Sequence, residues 1–319
     1  ISNYKASLEN TDSIKRTKVD LYDAIINKGT TECRQWRPTL YDFLAHRALG
    51  YFMSSEVDVS RPANQFTVNN EEYLKPYADF LNTNIINPSD SLETKYYALK
   101  LMQDLTRFHK NDENPSALID VELLRLDYIH NNSQNSKKDT LYFNSLKALQ
   151  AKFSQNQRVT EIDSRIANWY LQKGSEYKPL ESDKYKWYKK TAKEICESAI
   201  KKFPNSYGAI ECKNLINSIN TKTYNVTIEE VNEPNKPFRA LVTSQNVNKI
   251  YFKIVKTSSQ ELRDLFRKQY GKDLYEKLKT FSQVITFNQD IENDGDYQSH
   301  NTEIKLPELS TGYYIILSS

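Results

Sequence analysis

The sequence predicts a multidomain chain, α then β: an all-helical, repeat-like domain over residues 1–220, read as a helical-hairpin array of the tetratricopeptide (TPR-like) kind, then an immunoglobulin-like β-sandwich over residues 221–319 with a helical insertion. Three observations predict it. The apolar period changes from that of a helix to the two-residue alternation of a strand at Asn220. Three helix ends recur with a basic residue and a phenylalanine, closing at Phe108, Phe153 and Phe203, spaced by 45 and 50 residues. The length of 319 residues suits two domains, each able to bury a core without disulfides or metals.

In chain order, Pro38 marks a helix start before Leu40, Phe43, Leu44, Ala48 and Phe52. Asp90 with Glu93 reads as a capping pair ahead of Tyr97, Leu101, Leu105 and Phe108. Ile119, Leu123, Leu126 and His130 then share one helical face, followed by Tyr142, Leu146, Leu149 and Phe153, and by Ile162, Ile166 and Trp169. Helices over 194–203 and 207–219 flank the turn Pro204, Asn205, Ser206. The motif Ala199-x3-Phe203-Pro204 matches the end of a tetratricopeptide second helix, where a small residue lets helices approach and the aromatic packs under the next hairpin. The Phe spacings exceed the period of that repeat, so the array is expected to be degenerate.

Beyond Asn220, residues 223–231 alternate, Pro234 to Pro237 forms a turn, and strands are expected over 238–243 and 249–256. Ser258 and Glu261 make a capping box that opens a helical insertion carrying Leu262, Leu265, Phe266, Leu274 and Leu278. Strands return over 281–287, 297–306 and 312–317, so six short strands with one helical excursion give the sandwich reading.

Charge excludes some function classes. Residues 221–319 hold 13 Lys and Arg against 13 Asp and Glu, and residues 1–220 hold 31 against 28, so neither domain reads as a basic nucleic-acid module. No apolar run reaches the ~18 residues of a membrane span. The chain opens at Ile1 rather than at a methionine, which leaves room for an export signal or lipid anchor ahead of it, and the strand ending near Ser319 reads as continuing.

The motifs of nucleotide binding, of the serine hydrolase elbow and of the His-Glu-x-x-His metalloproteases do not occur, and seven glycines leave little material for phosphate-cradling loops. No cofactor and no enzymatic activity are expected. His46, His109, His130 and His300 are far apart in sequence, three of them on or at the end of helices, and are expected in surface or helix-end roles. Asp290, Glu292, Asp294 and Asp296 around Gly295 gather oxygen donors, but without the spacing of an EF-hand loop, so a solvated turn rather than a metal site is expected. Tyr185, Trp187 and Tyr188 are the candidate interaction surface, the alternative being an ordinary helix-packing role. Cys33, Cys196 and Cys212 lack metal-ligand spacing and are expected as reduced, buried thiols. Cys196 and Cys212, eight residues either side of Pro204, are placed as neighbours across the turn.

Residues 36–48 (Trp36, Arg37, Pro38 through Ala48), the hairpin 199–209, and 235–242 with 248–252 resemble the amino-terminal part of the large bacterial α2-macroglobulin family proteins of the Bacteroidetes type. The closing segments 294–307 and 311–317 are similar to the last strands of a macroglobulin domain in such proteins. The resemblance implies a non-catalytic structural or interaction segment of an exported, cell-envelope protease inhibitor, periplasmic or membrane-anchored, with the sandwich as a macroglobulin domain. Its implied partners are downstream domains of the same chain and the target protease, with no nucleic acid, and with a membrane only through an anchor. None of the three cysteines sits in the family's Cys-Gly-Glu-Gln thioester motif, so no functional residue of the family maps here. The alternative expectation is a free-standing helical scaffold that binds peptide or glycan.

Overall fold

The computed structural model describes residues 1–27, 29–54, 66–86, 88, 93–268, 271–281 and 283–319. Asp90 of the expected capping pair lies outside the described residues. Roughly half of the chain is helical, with helices up to Asn220 and two small antiparallel sheets beyond it. The helices are α1 (Ser2–Ser7), α2 (Thr11–Arg16), α3 (Thr31–Trp36), α4 (Leu40–Phe52), α5 (Tyr77–Phe80), α6 (Thr94–His109), α7 (Ser116–Asn132), α8 (Lys138–Lys152), α9 (Val159–Gly174), α10 (Tyr188–Lys202) and α11 (Tyr207–Asn220). Among the described residues no helix is long and apolar enough to cross a membrane.

By contact the chain divides into two compact units, Ile1–Ile166 with Ile195–Cys212, and Ala167–Glu194 with Lys213–Ser319. The change from helix to strand falls between Asn220 and Thr223, while the units divide inside α9, α10 and α11.

In the first unit α7 is the central element, packed on α3, α6 and α8, while α6 also packs on α4. The sequence marks one apolar face of α7, but the helix is buried nearly all round, with Leu118, Ile119, Val121, Leu123, Leu126 and Ile129 all inside. A helix covered on every side needs apolar residues on every side, and its polar ones must be satisfied within the protein. Pro38 precedes the start of α4 as expected. The cap itself is Thr39, whose hydroxyl accepts from the Asp42 amide while the Asp42 carboxylate accepts from the Thr39 amide, a reciprocal box. At Gly208 an added Cβ would lie 2.3 Å from the Thr160 and Glu161 backbone, so the start of α11 reaches that of α9 only because this residue has no side chain.

In the second unit the sheets are β1 (Thr223–Ile228), β2 (Phe238–Gln245) and β5 (His300–Leu306) in the order β1-β2-β5, and β4 (Gln283–Asp290), β3 (Lys249–Thr257) and β6 (Tyr313–Ser318) in the order β4-β3-β6. Every pairing is antiparallel. Alternation puts Ala240 and Val242 of β2 inside and leaves Leu241 out. Between Ile254 and Val255 the pairing of β3 with β4 skips Val284, while its pairing with β6 runs on in register; both residues are buried. The inward residues of β2, β3 and β5 form one hydrophobic cluster, against which Val226 and Ile228 of β1, Phe287 of β4 and Ile316 of β6 also pack. The two sheets therefore share a core.

The insertion between β3 and β4 comprises α12 (Ser259–Lys268) and α13 (Gly271–Lys279), with Leu265 and Leu278 buried. Its predicted capping box is present: the Glu261 carboxylate accepts from the Ser258 amide at 2.8 Å, and the Ser258 hydroxyl accepts from the Glu261 amide.

Candidate functional site

The sequence singles out two separate segments, Tyr185 to Tyr188 and the acidic loop around Gly295, and the second unit brings them together. The loop joins β4 to β5, and Gly295 takes a left-handed φ of 72°, which favours glycine. The ammonium of Lys186, beside Trp187, donates to the Asp294 carboxylate at 2.8 Å. Gln298 is buried, and its amide nitrogen donates to the carbonyls of Gly174, Lys186 and Tyr185 at 3.0, 3.1 and 3.4 Å. Lys193 of α10 donates to the Tyr297 hydroxyl at 2.8 Å.

The expectation of a solvated turn is corrected at one residue: Asp296 is only 1% exposed. A buried carboxylate must be satisfied by donors, and this one accepts from the Gln298 amide at 2.9 Å while His300 Nε2 lies 2.9 and 3.0 Å from its two oxygens. Asp294, Asp296 and His300 each offer an atom to one small volume, within 4.8 Å of one another, the kind of mixed carboxylate and imidazole set that holds a divalent metal. Each donor is already engaged. The Lys186 hydrogen bond and charge hold the Asp294 carboxyl below the usual range, and the same contact raises the Lys186 ammonium. A metal here would have to displace a lysine and break the imidazole contacts, so the arrangement is chemically complete as a loop anchor.

Of the candidate aromatic surface, Tyr185 and Tyr188 turn toward each other, ring centroids 4.9 Å apart, and Tyr188 also meets the edge of Tyr170. They serve packing. Trp187 remains 46% exposed, with the ammonium groups of Lys186 and Lys190 each 5.4 Å from its ring. It is the most exposed member of the trio.

Sequence reading missed the chemistry inside the first unit. His109, the last residue of α6, is buried between two carboxylates, Nε2 2.7 Å from Asp42 and Nδ1 2.7 Å from Asp112. Burial opposes its charge, but the hydrogen bonds and charges of Asp42 and Asp112 prevail and raise its pKa. His46 is buried too, against the expectation of a surface or helix-end role. Burial, then the charge of Arg37, push it down to about 4. Its 3.6 Å approach to Asp120 is therefore a neutral contact at pH 7, not an ion pair. Asp42, already holding the helix cap, links the two histidines.

This difference predicts a pH dependence. The unfolded chain protonates His46 near pH ~6.5 and the folded one near 4, so between these values the unfolded state binds more protons and stability falls as the pH falls. His109 acts oppositely, its contribution being present at low pH and lost as pH rises through its raised value. Replacing His46 by glutamine is expected to flatten the acid limb of stability between pH 6.5 and 4, measured by urea unfolding, relative to the unsubstituted chain. An unchanged slope would show that His46 titrates normally.

Two arginines lie deeper still. Arg158 donates from Nε and Nη2 to Glu161 at 2.8 and 2.7 Å and stacks 4.3 Å from the Trp36 ring. Arg125 of α7 pairs with Glu122 and donates to the carbonyls of Tyr73 and Lys75. The only sequence signal for either is an acid and an arginine three apart, which a surface pair shows equally. Cys196 and Cys212 are fully buried and free, and their thiols meet as expected; the Cys196 contact and burial push the Cys212 thiol up. Cys33 is only half-buried, against the expectation of a buried thiol.

Comparisons with family models, with curated proteins and with solved structures find no match for this chain.

Proposed function

We propose that this chain is a non-catalytic structural and interaction segment of an exported, cell-envelope α2-macroglobulin-like protease inhibitor. In this reading the helices form a degenerate TPR-like spacer or docking arm, and the two sheets form an immunoglobulin-like macroglobulin sandwich with α12 and α13 as its helical insertion. The observation that carries it is the core shared by the two sheets, to which all six strands contribute, joined to the resemblance of their segments to a macroglobulin domain. The use of His109, Arg125, Arg158 and Asp296 in internal pairs supports a non-catalytic role, because each is held by partners rather than aimed at a reacting atom. Its partners in this reading are further domains of the same protein and the attacking protease.

The exposed Trp187 favours a second reading, a helical scaffold binding peptide or glycan. One experiment separates these from catalysis. The isolated chain, incubated with a panel of proteases acting on a large protein substrate, is expected to leave their rates unchanged, since one sandwich and a helical arm cannot enclose an enzyme. Stoichiometric inhibition, or hydrolysis by the chain itself, would overturn the assignment.

A further inference from the structure

The loop between α9 and α10 closes on itself. Gly174, at the end of α9, lies against the start of α10, where an added Cβ would come within 2.9 Å of the Lys189 side chain and 3.3 Å of Tyr188. Residues 175–187 therefore leave and return at one place, as a compact surface loop. A tight turn at its middle, with the Glu181 and Ser182 amides donating to the Lys178 carbonyl at 3.1 and 3.3 Å, carries Leu180 fully into solvent. At its base Tyr185 takes a left-handed φ of 72°, which a bulky residue adopts only where its surroundings impose it. Its ring packs on Tyr188 and its carbonyl accepts from Gln298. Trp187, between the two packed tyrosines, is left exposed.

Charge on this segment is one-sided. Residues 178–193 hold six lysines against two acidic residues, in a chain that is otherwise near balance. Glu181 is paired with Lys178 at 3.1 Å and Lys186 with Asp294 at 2.8 Å, while Lys184 and Lys190 form no ion pair among the described residues. A fully exposed leucine and a half-exposed tryptophan are costly in water, and lysines gathered around them repel one another. An apolar layer beneath an anionic one relieves both costs. An acidic polymer would answer the lysines but leave Leu180 in water.

We infer that this loop docks the protein on a lipid bilayer with anionic headgroups. Leu180 and Trp187 enter the interface, with the indole at headgroup level where tryptophan is favoured, and Lys184 and Lys190 meet the lipid phosphates. Gln298 and the contact of Lys186 with Asp294 fasten the loop to the β5 side of the second unit, so binding does not first have to order it. The inference rests on this loop alone and holds whether or not the chain belongs to a protease inhibitor.

The test uses the whole chain with large vesicles of phosphatidylcholine, alone or mixed in equal parts with phosphatidylglycerol. Co-sedimentation is expected to show binding at least tenfold tighter to the mixed vesicles, and at least tenfold weaker in ~1 M salt, where the screening length falls to about 3 Å. The Lys184→Gln, Lys190→Gln double variant is expected to lose at least two thirds of that preference. Leu180→Ser is expected to weaken binding at least fivefold without moving the unfolding midpoint, since this side chain lies wholly in solvent. Lipids brominated in their acyl chains are expected to quench the tryptophan fluorescence of the bound chain, but not that of Trp187→Phe. Equal binding to the two vesicles, no effect of either variant on binding, or quenching that persists in Trp187→Phe would overturn the proposal. So would binding to dextran sulfate with no sedimentation on vesicles, which would make the occupant a soluble polyanion.

Discussion

Replacing Arg125 by alanine is expected to cost the helical unit about 3–5 kcal/mol, the range for removing one partner of a buried ion pair. The guanidinium is fully buried, and beyond its contact with Glu122 it satisfies two backbone carbonyls and lies 4.3 Å from the Phe80 ring centroid. Its loss leaves the Glu122 carboxylate inside the protein with, among the described residues, only the Thr106 hydroxyl, at 3.0 Å, as donor. The cost comes from that stranded charge rather than from the attraction itself, so the double variant Glu122→Gln, Arg125→Met is expected to recover at least half of it. Urea unfolding followed by Trp36 fluorescence, with Trp169 and Trp187 replaced by phenylalanine, reads this unit through its own tryptophan. A loss below about 1 kcal/mol for the single variant would mean that the pair is solvated.

The second large effect is expected in the sheets. Phe252 of β3 is buried in the shared core, its ring stacked on its cross-strand partner Phe287 with centroids 5.0 Å apart. Truncation to alanine removes the transfer energy of the ring and leaves a cavity beneath both sheets, together about 3–5 kcal/mol. Leu241→Ala on the outward face of β2 is expected to change stability by less than about 0.5 kcal/mol. Hydrogen exchange of the β2 and β3 amides, measured on both variants, makes the comparison. A similar cost at the two positions would show that the sheets do not share a core.

The local elements were legible in the sequence because their causes are local. Tyr207 to Asn220 keeps a helical period, the Ser258 and Glu261 capping box needs residues only three apart, and β2 alternates side by side along its own strand. Where sequence reading failed, the deciding contact joins distant residues. His46 reads as an ordinary helix residue, and only tertiary packing, which brings it to Asp120 of α7, removes it from water. Arg125 and Glu122 show the spacing of a surface pair, but the carbonyls of Tyr73 and Lys75, some fifty residues earlier, close the site around the guanidinium. Asp296 sits in a polar loop that the sequence presents as solvent-exposed, and its burial depends on Gln298 reaching carbonyls more than a hundred residues away.

The sequence by itself therefore determined the longer helices from α4 on and the six strands in outline, though not α1, α2, α3 or α5, as well as where the period changes and that Cys196 and Cys212 meet across one turn, since each follows from periodicity, caps and a short hairpin. Only the tertiary structure decided which polar groups lie inside, and that the Tyr185 to Tyr188 segment packs with the Gly295 loop. Burial depends on what packs from elsewhere in the chain, and the charge state of a histidine or the worth of an arginine pair follows from that burial.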